Sequence, residues 1–327
     1  MPDKADTSQA DTSQASTLQL GHTDVRISPL GVGTWAWGDR LFWGYGRGYG
    51  DADLQAAFQG SLGAGVTLFD TAEIYGRGQS ERLLGRFCHA IARDQVPQPV
   101  VATKFFPFPW RFRRQDLLRA LRGSLKRLGL ERVDLYQMHW PYAPVPIETW
   151  MDALADAVEA GLARAVGVSN YNVKQLRRAH AALARRGVPL ASNQVQYSLL
   201  HRRPERDGVA QACRDLGVTL IAYSPLELGL LTGKYTPDTP PSGPRGRRFG
   251  KQRLAEVQPL LAQLREIGEA HGEKTPAQVA LNWLICRDAV PIPGAKNARQ
   301  AQENAGATGW RLTADQVERL DHASAEA

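Results

Sequence analysis

The chain has 327 residues, of which 43% are hydrophobic and 22% charged, and its formal net charge is +7. A chain of this size and composition buries a core without disulfide or metal staples, and it has no run of about 18 apolar residues that could span a membrane. Three cysteines without metal-type spacing, Cys88, Cys213 and Cys286, predict free thiols in a reducing compartment such as the cytoplasm.

Residues 1–17 are polar, repeat the sequence Ala-Asp-Thr-Ser-Gln, and are predicted to form a disordered tail. They contain neither an apolar stretch nor an arginine, so we expect neither a signal peptide nor a transit peptide. Residues 18–327 are predicted to form a single domain.

Short apolar or β-branched runs alternate with helical stretches along this domain, as expected for a parallel sheet covered on both faces. Most of the runs start about 30 residues apart, which is the length of a βαβ unit. The predicted strands are 30–34, 67–70, 100–104, 133–139, 165–169, 191–196, 219–224 and 289–293. Eight such strands predict an α/β fold of the (β/α)8 or TIM barrel type. Residues 18–27 are predicted to form a hairpin that closes the barrel floor.

The helices between the strands have recognisable ends. Asn172, Thr275 and Thr313 are predicted N-caps, because each is followed three residues later by a glutamine. Glycines stand between helix and strand at positions 65, 161, 187 and 217, where a left-handed C-cap is expected. The seventh strand is followed by a Gly/Pro/Arg-rich loop, 225–250, then by helices near 258–271 and 275–287. A loop of this length predicts a lid or a binding loop. A last helix is predicted near 313–323.

Basic residues cluster in three short runs, which is one signature of nucleic-acid binding. The runs contain Arg111, Arg113 and Arg114, then Arg202 and Arg203, then Arg245, Arg247 and Arg248. We interpret them as solvated loops that attract small phosphorylated ligands. The partner is therefore predicted to be a small molecule, with neither nucleic acid nor membrane bound.

Ionisable residues stand at three neighbouring predicted strand ends, and in a (β/α)8 barrel these ends form the active site. Asp70 ends the second strand, Lys104 the third and His139 the fourth, and Tyr75 lies in the loop after the second. Taken alone, each of these residue types more often has a structural role than a catalytic one. Together they favour catalysis over a metal site, since the chain has seven histidines but no HxH or HExxH pattern.

These four residues suit the reduction of a carbonyl. A phenol has an ordinary pKa of about 10, and a nearby ammonium lowers it. Lys104 would supply that charge to Tyr75, Asp70 would keep Lys104 protonated, and His139 would donate a hydrogen bond to the carbonyl. Tyr75 would then act as the general acid. No side chain stores a hydride, so the hydride implies a nicotinamide cofactor.

The sequence resembles the aldo/keto reductase family over nearly all of residues 18–327, and in particular a plant and cyanobacterial branch. The motifs that carry the resemblance are 33–35, 69–76, Lys104, His139, 167–170, Gln194, 197–198, 223–226, 231–235, 292–296 and 303–304. The resemblance implies a (β/α)8 barrel that reduces aldehydes and ketones to alcohols with NADPH, by a tetrad of Asp70, Tyr75, Lys104 and His139. An alternative within the fold is a regulatory NADPH-binding subunit with little turnover.

The resemblance also implies how NADPH or NADP+ is bound. Ser169, Asn170 and Gln194 would hold the nicotinamide amide, and Tyr223 would stack on its ring. Ser224, Leu226 and Lys234 would line the pyrophosphate, and Gly294, Lys296, Gln300, Glu303 and Asn304 the adenosine. The predicted cofactor set also includes Gly33, Thr34, Trp35, Asp70, Pro225, Gly229 and Ala295. Many members have arginine at the position of Gln300, so the preference for NADPH over NADH stays open.

Several tryptophans fall on predicted strand-end loops, which indicates a pocket for an aromatic or apolar aldehyde. We predict that Trp35, Trp37, Trp110 and Trp140 contact the substrate. The segment from Trp35 to Tyr45 is similar to the branch in which pyridoxal reductases occur, so pyridoxal is a specific candidate.

Overall fold

The computed structural model describes residues 17–92, 97–241, 246 and 249–326. The predicted tail, apart from Thr17, lies outside the described residues, and so do Arg245, Arg247 and Arg248 of the third basic run. Within the described part of the chain, no helix is long and apolar enough to cross a membrane.

Eight parallel strands form one sheet in sequence order, which confirms the predicted (β/α)8 barrel. They are β3 (Gly31–Gly33), β4 (Leu68–Asp70), β5 (Val100–Phe105), β6 (Val133–Met138), β7 (Ala163–Ser169), β8 (Leu190–Gln196), β9 (Thr219–Tyr223) and β10 (Ala289–Ile292). A parallel bridge between Gly33 and Gly294 joins the first strand of the barrel to the residues after the last. The amide of Gly33 also donates to the carbonyl of Pro293, at 3.0 Å.

Helices cover the outside of this sheet. They are α1 (Asp51–Gly63), α2 (Gln79–His89), α3 (Arg114–Leu128), α4 (Ile147–Glu159), α5 (Val173–Ala184), α6 (Arg203–Arg206), α7 (Val209–Asp215), α8 (Lys251–Glu256), α9 (Gln258–Ala270), α10 (Pro276–Cys286), α11 (Ala298–Ala305) and α12 (Ala314–Glu326). The three predicted N-caps are confirmed, since Asn172, Thr275 and Thr313 each accept from the backbone of the glutamine three residues on. The four predicted C-cap glycines all have positive φ.

The floor of the barrel is apolar. The antiparallel hairpin of β1 (Leu18–Gln19) and β2 (Arg26–Ile27) confirms the prediction for residues 18–27. Its fully buried side chains Leu20, Val25 and Ile27 pack in one cluster with inward-facing residues such as Leu68 and Leu135. Burial of each such side chain contributes about 1.5–3 kcal/mol. Polar inward-facing side chains are therefore left to the opposite, C-terminal end of the strands.

The loop after β9 carries more regular structure than the sequence indicated. Residues Glu227–Thr232 form a 3-10 turn, and α8 is an additional short helix before the two predicted ones. Ser224, Glu227 and Leu228 have φ of 51°, 45° and 53°. Residues other than glycine seldom adopt such backbone, and they do so mainly where surrounding structure imposes it at functional sites.

Candidate active site

A cleft of about 800 Å³ opens at the C-terminal ends of the strands, which is within the usual size range of ligand pockets. Its walls come from the loops after β3, β4, β6, β7, β9 and β10. The predicted cofactor residues that line it are Gly33, Thr34, Trp35, Asp70, Ser169, Asn170, Gln194, Tyr223, Ser224, Pro225, Leu226, Gly229, Lys234, Gly294, Lys296, Gln300, Glu303 and Asn304. The structure thus brings residues from both ends of the sequence to one cleft.

Lys104 lies beneath the cleft and is completely buried. Its ammonium donates to the Oδ2 atom of Asp70 and, at 2.9 Å, to the carbonyl of Thr71. The Nζ atom also lies 5.1 Å from the centre of the Tyr75 ring. The four predicted catalytic residues therefore meet where three neighbouring strands end, because parallel strands present their carboxyl ends at one edge.

The position of Tyr75 depends on a tight turn. Tyr75 begins the 3-10 turn Tyr75–Gly78, and the next residues, Gly76 and Arg77, have φ of 55° and 56°. A Cβ atom on Gly76 would lie 2.9 Å from the carbonyl oxygen of Gly38, so a larger residue would displace the turn. Glycine is thus required here both for its positive φ and for the close backbone approach.

Asp70 is held by three donors. Its Oδ1 atom accepts from Gln137 at 3.1 Å and from Gln194 at 2.9 Å, while Oδ2 accepts from Lys104. The sequence analysis missed Gln137. A signal for it exists: a polar residue on a buried strand, two positions before His139, must face the barrel interior.

Burial and charge oppose each other at Lys104. Burial lowers the pKa of the Lys104 ammonium, but the Asp70 carboxylate and the Tyr75 phenol outweigh this and hold its pKa above the ordinary value. Lys104 is therefore a permanent cation at neutral pH. This agrees with the expected role of Asp70 in keeping it protonated.

The pKa of Tyr75 differs from the expected direction. Burial raises the pKa of the phenol, and the nearby Asp70 carboxylate adds to this, whereas the Lys104 charge and hydrogen bond only partly offset the increase. The net pKa is above the ordinary 10.0, and not below it as the sequence analysis predicted. The prediction from the sequence included only the Lys104 ammonium, whereas in the folded protein the phenolate also loses its hydrating water.

His139 is neutral at physiological pH. Burial and the Lys104 charge lower its pKa from 6.5 to about 3. The ring contacts Tyr75 edge-on at 5.9 Å between centroids, and Phe106 packs against it at 5.6 Å. Its Nδ1 atom is buried and has no hydrogen-bond partner among the described residues. A neutral imidazole has one N–H donor and one acceptor, so His139 can donate to a ligand in the cleft.

The ends of β7 and β9 form a rigid polar wall. The side-chain amide of Asn170 donates to the carbonyl of His139 at 3.1 Å and to the hydroxyl of Ser169 at 3.0 Å. Tyr223 donates to the Asn170 amide oxygen at 3.0 Å. Gln194, predicted to contact the nicotinamide amide, lines the cleft and donates from its side-chain nitrogen to Asp70.

Three cations line the cleft: Lys234, Lys296 and Arg299. Arg299 was not among the predicted cofactor residues. The backbone nitrogen of Lys296 donates to the side chain of Gln300 at 2.9 Å. Gln300 therefore supplies hydrogen bonding within this loop, and it carries no charge.

Three predicted contact residues do not reach the cleft. Trp37 and Ala295 are both fully buried. The indole nitrogen of Trp37 donates to the carbonyl of Ala295 at 2.9 Å. Trp110 is 67% exposed, stacks on Phe108 at 4.7 Å and lines a separate depression. The predicted ligand contacts of these three residues are therefore corrected. A strand-end loop brings a side chain near the barrel mouth but does not determine the direction in which it points. Trp35 and Trp140 do line the cleft.

Four of the five arginines in the first two basic runs form ion pairs with acidic side chains. Arg114 pairs with Asp156 at 2.5 Å and Arg203 with Asp207 at 2.7 Å, and Arg202 pairs with Glu205. Surface pairs of this kind contribute little stability, but they neutralise the charge that a nucleic-acid phosphate would need.

The donor set fits a dinucleotide that carries phosphates. The side-chain amides of Asn170 and Gln194 lie beside His139 and Asp70, and the cleft is also lined by the ammonium groups of Lys234 and Lys296 and the guanidinium group of Arg299. Charged donors bind phosphate oxygens most strongly, and a neutral His beside a phenol suits a carbonyl. The cleft can therefore orient a carbonyl compound beside a proton donor.

A model of the aldo/keto reductase family matches residues 29–325. The chain is 46% identical over 311 residues to the chloroplastic pyridoxal reductase of Arabidopsis thaliana, covering 92% of this chain and 84% of that protein. It is 34% identical over 285 residues to the aldo-keto reductase yakc (NADP(+)) of Schizosaccharomyces pombe, with 82% of each chain covered. A solved structure of a thermostable aldo-keto reductase in complex with the inhibitor epalrestat has a TM-score of 0.76 and 33% identity, covering 94% of this chain and 99% of the other.

Proposed function

The chain belongs to the aldo/keto reductase family of oxidoreductases, and on this premise we propose that it reduces aldehyde and ketone carbonyls to alcohols with NADPH. One observation carries the proposal: the buried ammonium of Lys104, paired with Asp70, lies 5.1 Å from the Tyr75 ring at the base of the cleft.

In this proposal NADPH lies along the cleft, and when bound it supplies the hydride that reduces the carbonyl carbon. Ser169 and Asn170 would orient the nicotinamide amide, and Tyr223 would pack against its ring. Lys234 and Lys296 would hold the phosphates. The amides beside Asp70 and His139, together with the cations that line the same cleft, support this orientation.

The residues of the chain would handle the proton. Tyr75 donates its phenolic proton to the carbonyl oxygen as the carbon is reduced, and Lys104 stabilises the negative charge left on the phenol. His139, neutral because its pKa is lowered to about 3, donates a hydrogen bond that orients the carbonyl. General acid catalysis of this kind contributes about 10²- to 10⁴-fold.

The proposed substrate is a small aromatic or apolar aldehyde. Trp35 and Trp140 line the cleft and offer flat apolar walls. The resemblance to a protein named pyridoxal reductase supports pyridoxal as the first compound to test. The three free cysteines fit a reducing compartment such as the cytoplasm, and this localisation is likewise a proposal.

The test combines turnover with binding. NADPH oxidation is measured over a panel of aldehydes, ketones and pyridoxal for the wild type and for Tyr75→Phe, and NADPH affinity is measured separately by nucleotide fluorescence. We expect turnover by the wild type, a loss of at least about 100-fold in Tyr75→Phe, and similar NADPH affinity in both. Binding without turnover across the whole panel would instead indicate a regulatory NADPH-binding subunit.

A further inference from the structure

The loop between β3 and α1 contacts the cationic end of the cleft through two aromatic rings. We propose that Trp43 and Tyr49, here called the aromatic clamp, fix the Lys296 ammonium and so set a preference for a nucleotide with an additional phosphate on its adenosine. The inference rests on the proposed function, because it concerns how the same cofactor is selected.

The Lys296 ammonium lies between the two rings. Its Nζ atom is 4.5 Å from the centre of the Trp43 ring and 4.7 Å from the centre of the Tyr49 ring. It also donates to the backbone carbonyl of Trp43 at 3.4 Å. Trp43 and Lys296 both line the cleft, so the ammonium is fixed where a ligand can reach it.

The clamp is itself held rigidly. The carboxylate of Asp39 accepts from the backbone nitrogens of Phe42 at 2.7 Å and Trp43 at 3.0 Å. The Tyr49 hydroxyl donates to the carbonyl of Ala36 at 2.6 Å, and the Trp43 ring packs edge-on against Trp35 at 5.5 Å. The rings are thus anchored within the loop that follows β3, the strand that adjoins the segment of Lys296.

A fixed ammonium binds phosphate better than a mobile one. Lysine has a flexible stem, and binding a ligand through it costs the conformational freedom of that stem. The aromatic faces attract the cation and restrict the stem before the ligand arrives, which is preorganisation. The attraction acts on the charge of Lys296, so it matters only for a ligand that contacts this charge.

The neighbouring side chains increase the dependence on Lys296. Gln300 is uncharged and accepts from the Lys296 backbone nitrogen. Arg299 is 81% exposed and lies 3.8 Å from the carboxylate of Glu303. A solvated arginine next to a carboxylate attracts a phosphate less than a clamped ammonium does. The clamp therefore acts on Lys296, the residue on which the preference for NADPH over NADH mainly depends.

The experiment compares the dissociation constants of NADPH and NADH, which differ by this one phosphate, in wild-type protein and in variants. Trp43→Leu and Tyr49→Leu each remove one ring, Tyr49→Phe keeps the ring, and Lys296→Met removes the charge. Trp110→Leu, on the outer surface, is the matched control. We expect each ring removal to weaken NADPH binding about fivefold and to leave NADH binding unchanged. Trp110→Leu should bind both nucleotides as the wild type does, and Tyr49→Phe, which keeps the ring but loses the hydrogen bond to Ala36, should weaken NADPH binding less than Tyr49→Leu does.

A double variant separates the clamp from other effects. In the Lys296→Met background, where the preference for NADPH is lost, Trp43→Leu should change neither constant. Equal weakening of NADPH and NADH by Trp43→Leu would mean that the ring stacks on the nucleotide or merely supports the loop, and would overturn the proposal. An unchanged ratio in both ring variants would overturn it as well, while leaving the reductase assignment intact. Failure of wild-type protein to bind either nucleotide would overturn the reductase assignment together with the clamp.

Discussion

Arg111 binds Glu73 with both of its terminal nitrogens, Nη1 to Oε1 at 2.5 Å and Nη2 to Oε2 at 3.1 Å. Glu73 lies in the loop between Asp70 and Tyr75, and its Oε1 atom also accepts from the backbone of Phe106 at 2.7 Å. The pair therefore links the loop of the proposed acid to the segment whose Phe106 ring packs on His139.

Arg111→Met should reduce both stability and turnover. It leaves the Glu73 carboxylate, only 8% exposed, without its cation, and loss of one partner of such a pair costs about 3 kcal/mol. We expect kcat with an aldehyde to fall while NADPH affinity stays unchanged, since Arg111 is not among the cations proposed to hold the cofactor. Urea unfolding and steady-state kinetics test this. Arg119→Met, which removes an exposed pair with Asp116, is the control and should change little. Equal effects in both variants would contradict the prediction.

The pH dependence of carbonyl reduction should reflect the raised pKa of Tyr75. A phenol donates only while protonated, and a pKa above 10.0 keeps the proton in place throughout the neutral range. We therefore expect kcat to stay constant from about pH 6 to pH 9 and to fall only at higher pH. Lys104→Met should lower kcat at least about 100-fold. A loss of activity already near neutral pH would show that the phenol pKa is lowered instead.

His139 should make the protein less stable as the pH falls. Its pKa is 6.5 when unfolded and about 3 when folded, so between these values the unfolded chain binds more protons. The free energy of unfolding must then decrease as the pH falls below 6.5 toward 3. Urea unfolding of wild type and His139→Gln across this range tests the sign, and the variant should lose less stability on acidification. His322→Gln, at an exposed position, should follow the wild type.

Trp35 should contribute to the selection of aromatic substrates. The side chain lines the cleft, so Trp35→Ala should raise KM for aromatic aldehydes more than for short aliphatic ones. A stacked ring contributes about 0.5–1.5 kcal/mol, which corresponds to roughly a few-fold change. Trp110→Ala, outside the cleft, is the matched variant and should leave both KM values alone. An equal change in KM for aromatic and aliphatic aldehydes would instead indicate that Trp35 only packs within its loop.

The barrel was predictable because its signals are local and repeated. Buried strands such as β5 and β6 are apolar runs of fixed spacing, and glycines such as Gly187 and Gly217 mark each return to the sheet. The helix α8 was not predictable in the same way, because it is only six residues long, directly follows the Gly/Pro/Arg-rich loop, and has no apolar periodicity that indicates it. Its Leu254 is buried against Leu230 and Phe249, a tertiary contact that no local pattern shows.

The site was predictable in its location and less so in its details. Strand ends bring Asp70, Lys104 and His139 together in any (β/α)8 barrel. The direction of Trp37 depends on a hydrogen bond to Ala295, which is remote in sequence. The pKa of Tyr75 depends on how much water its ring loses, which is a property of the folded cleft and not of the residue types around it.

The seam between Gly33 and Gly294 has a consequence for biosynthesis. The cleft is lined by residues from both sides of this seam, so its formation requires the first barrel strand and the segment after the last barrel strand at the same time. A ribosome-bound nascent chain can expose the strands that carry Asp70 and Lys104 long before Lys296 emerges from the exit tunnel. Any stabilisation of the fold by a bound dinucleotide would then become available only after Lys296 has emerged.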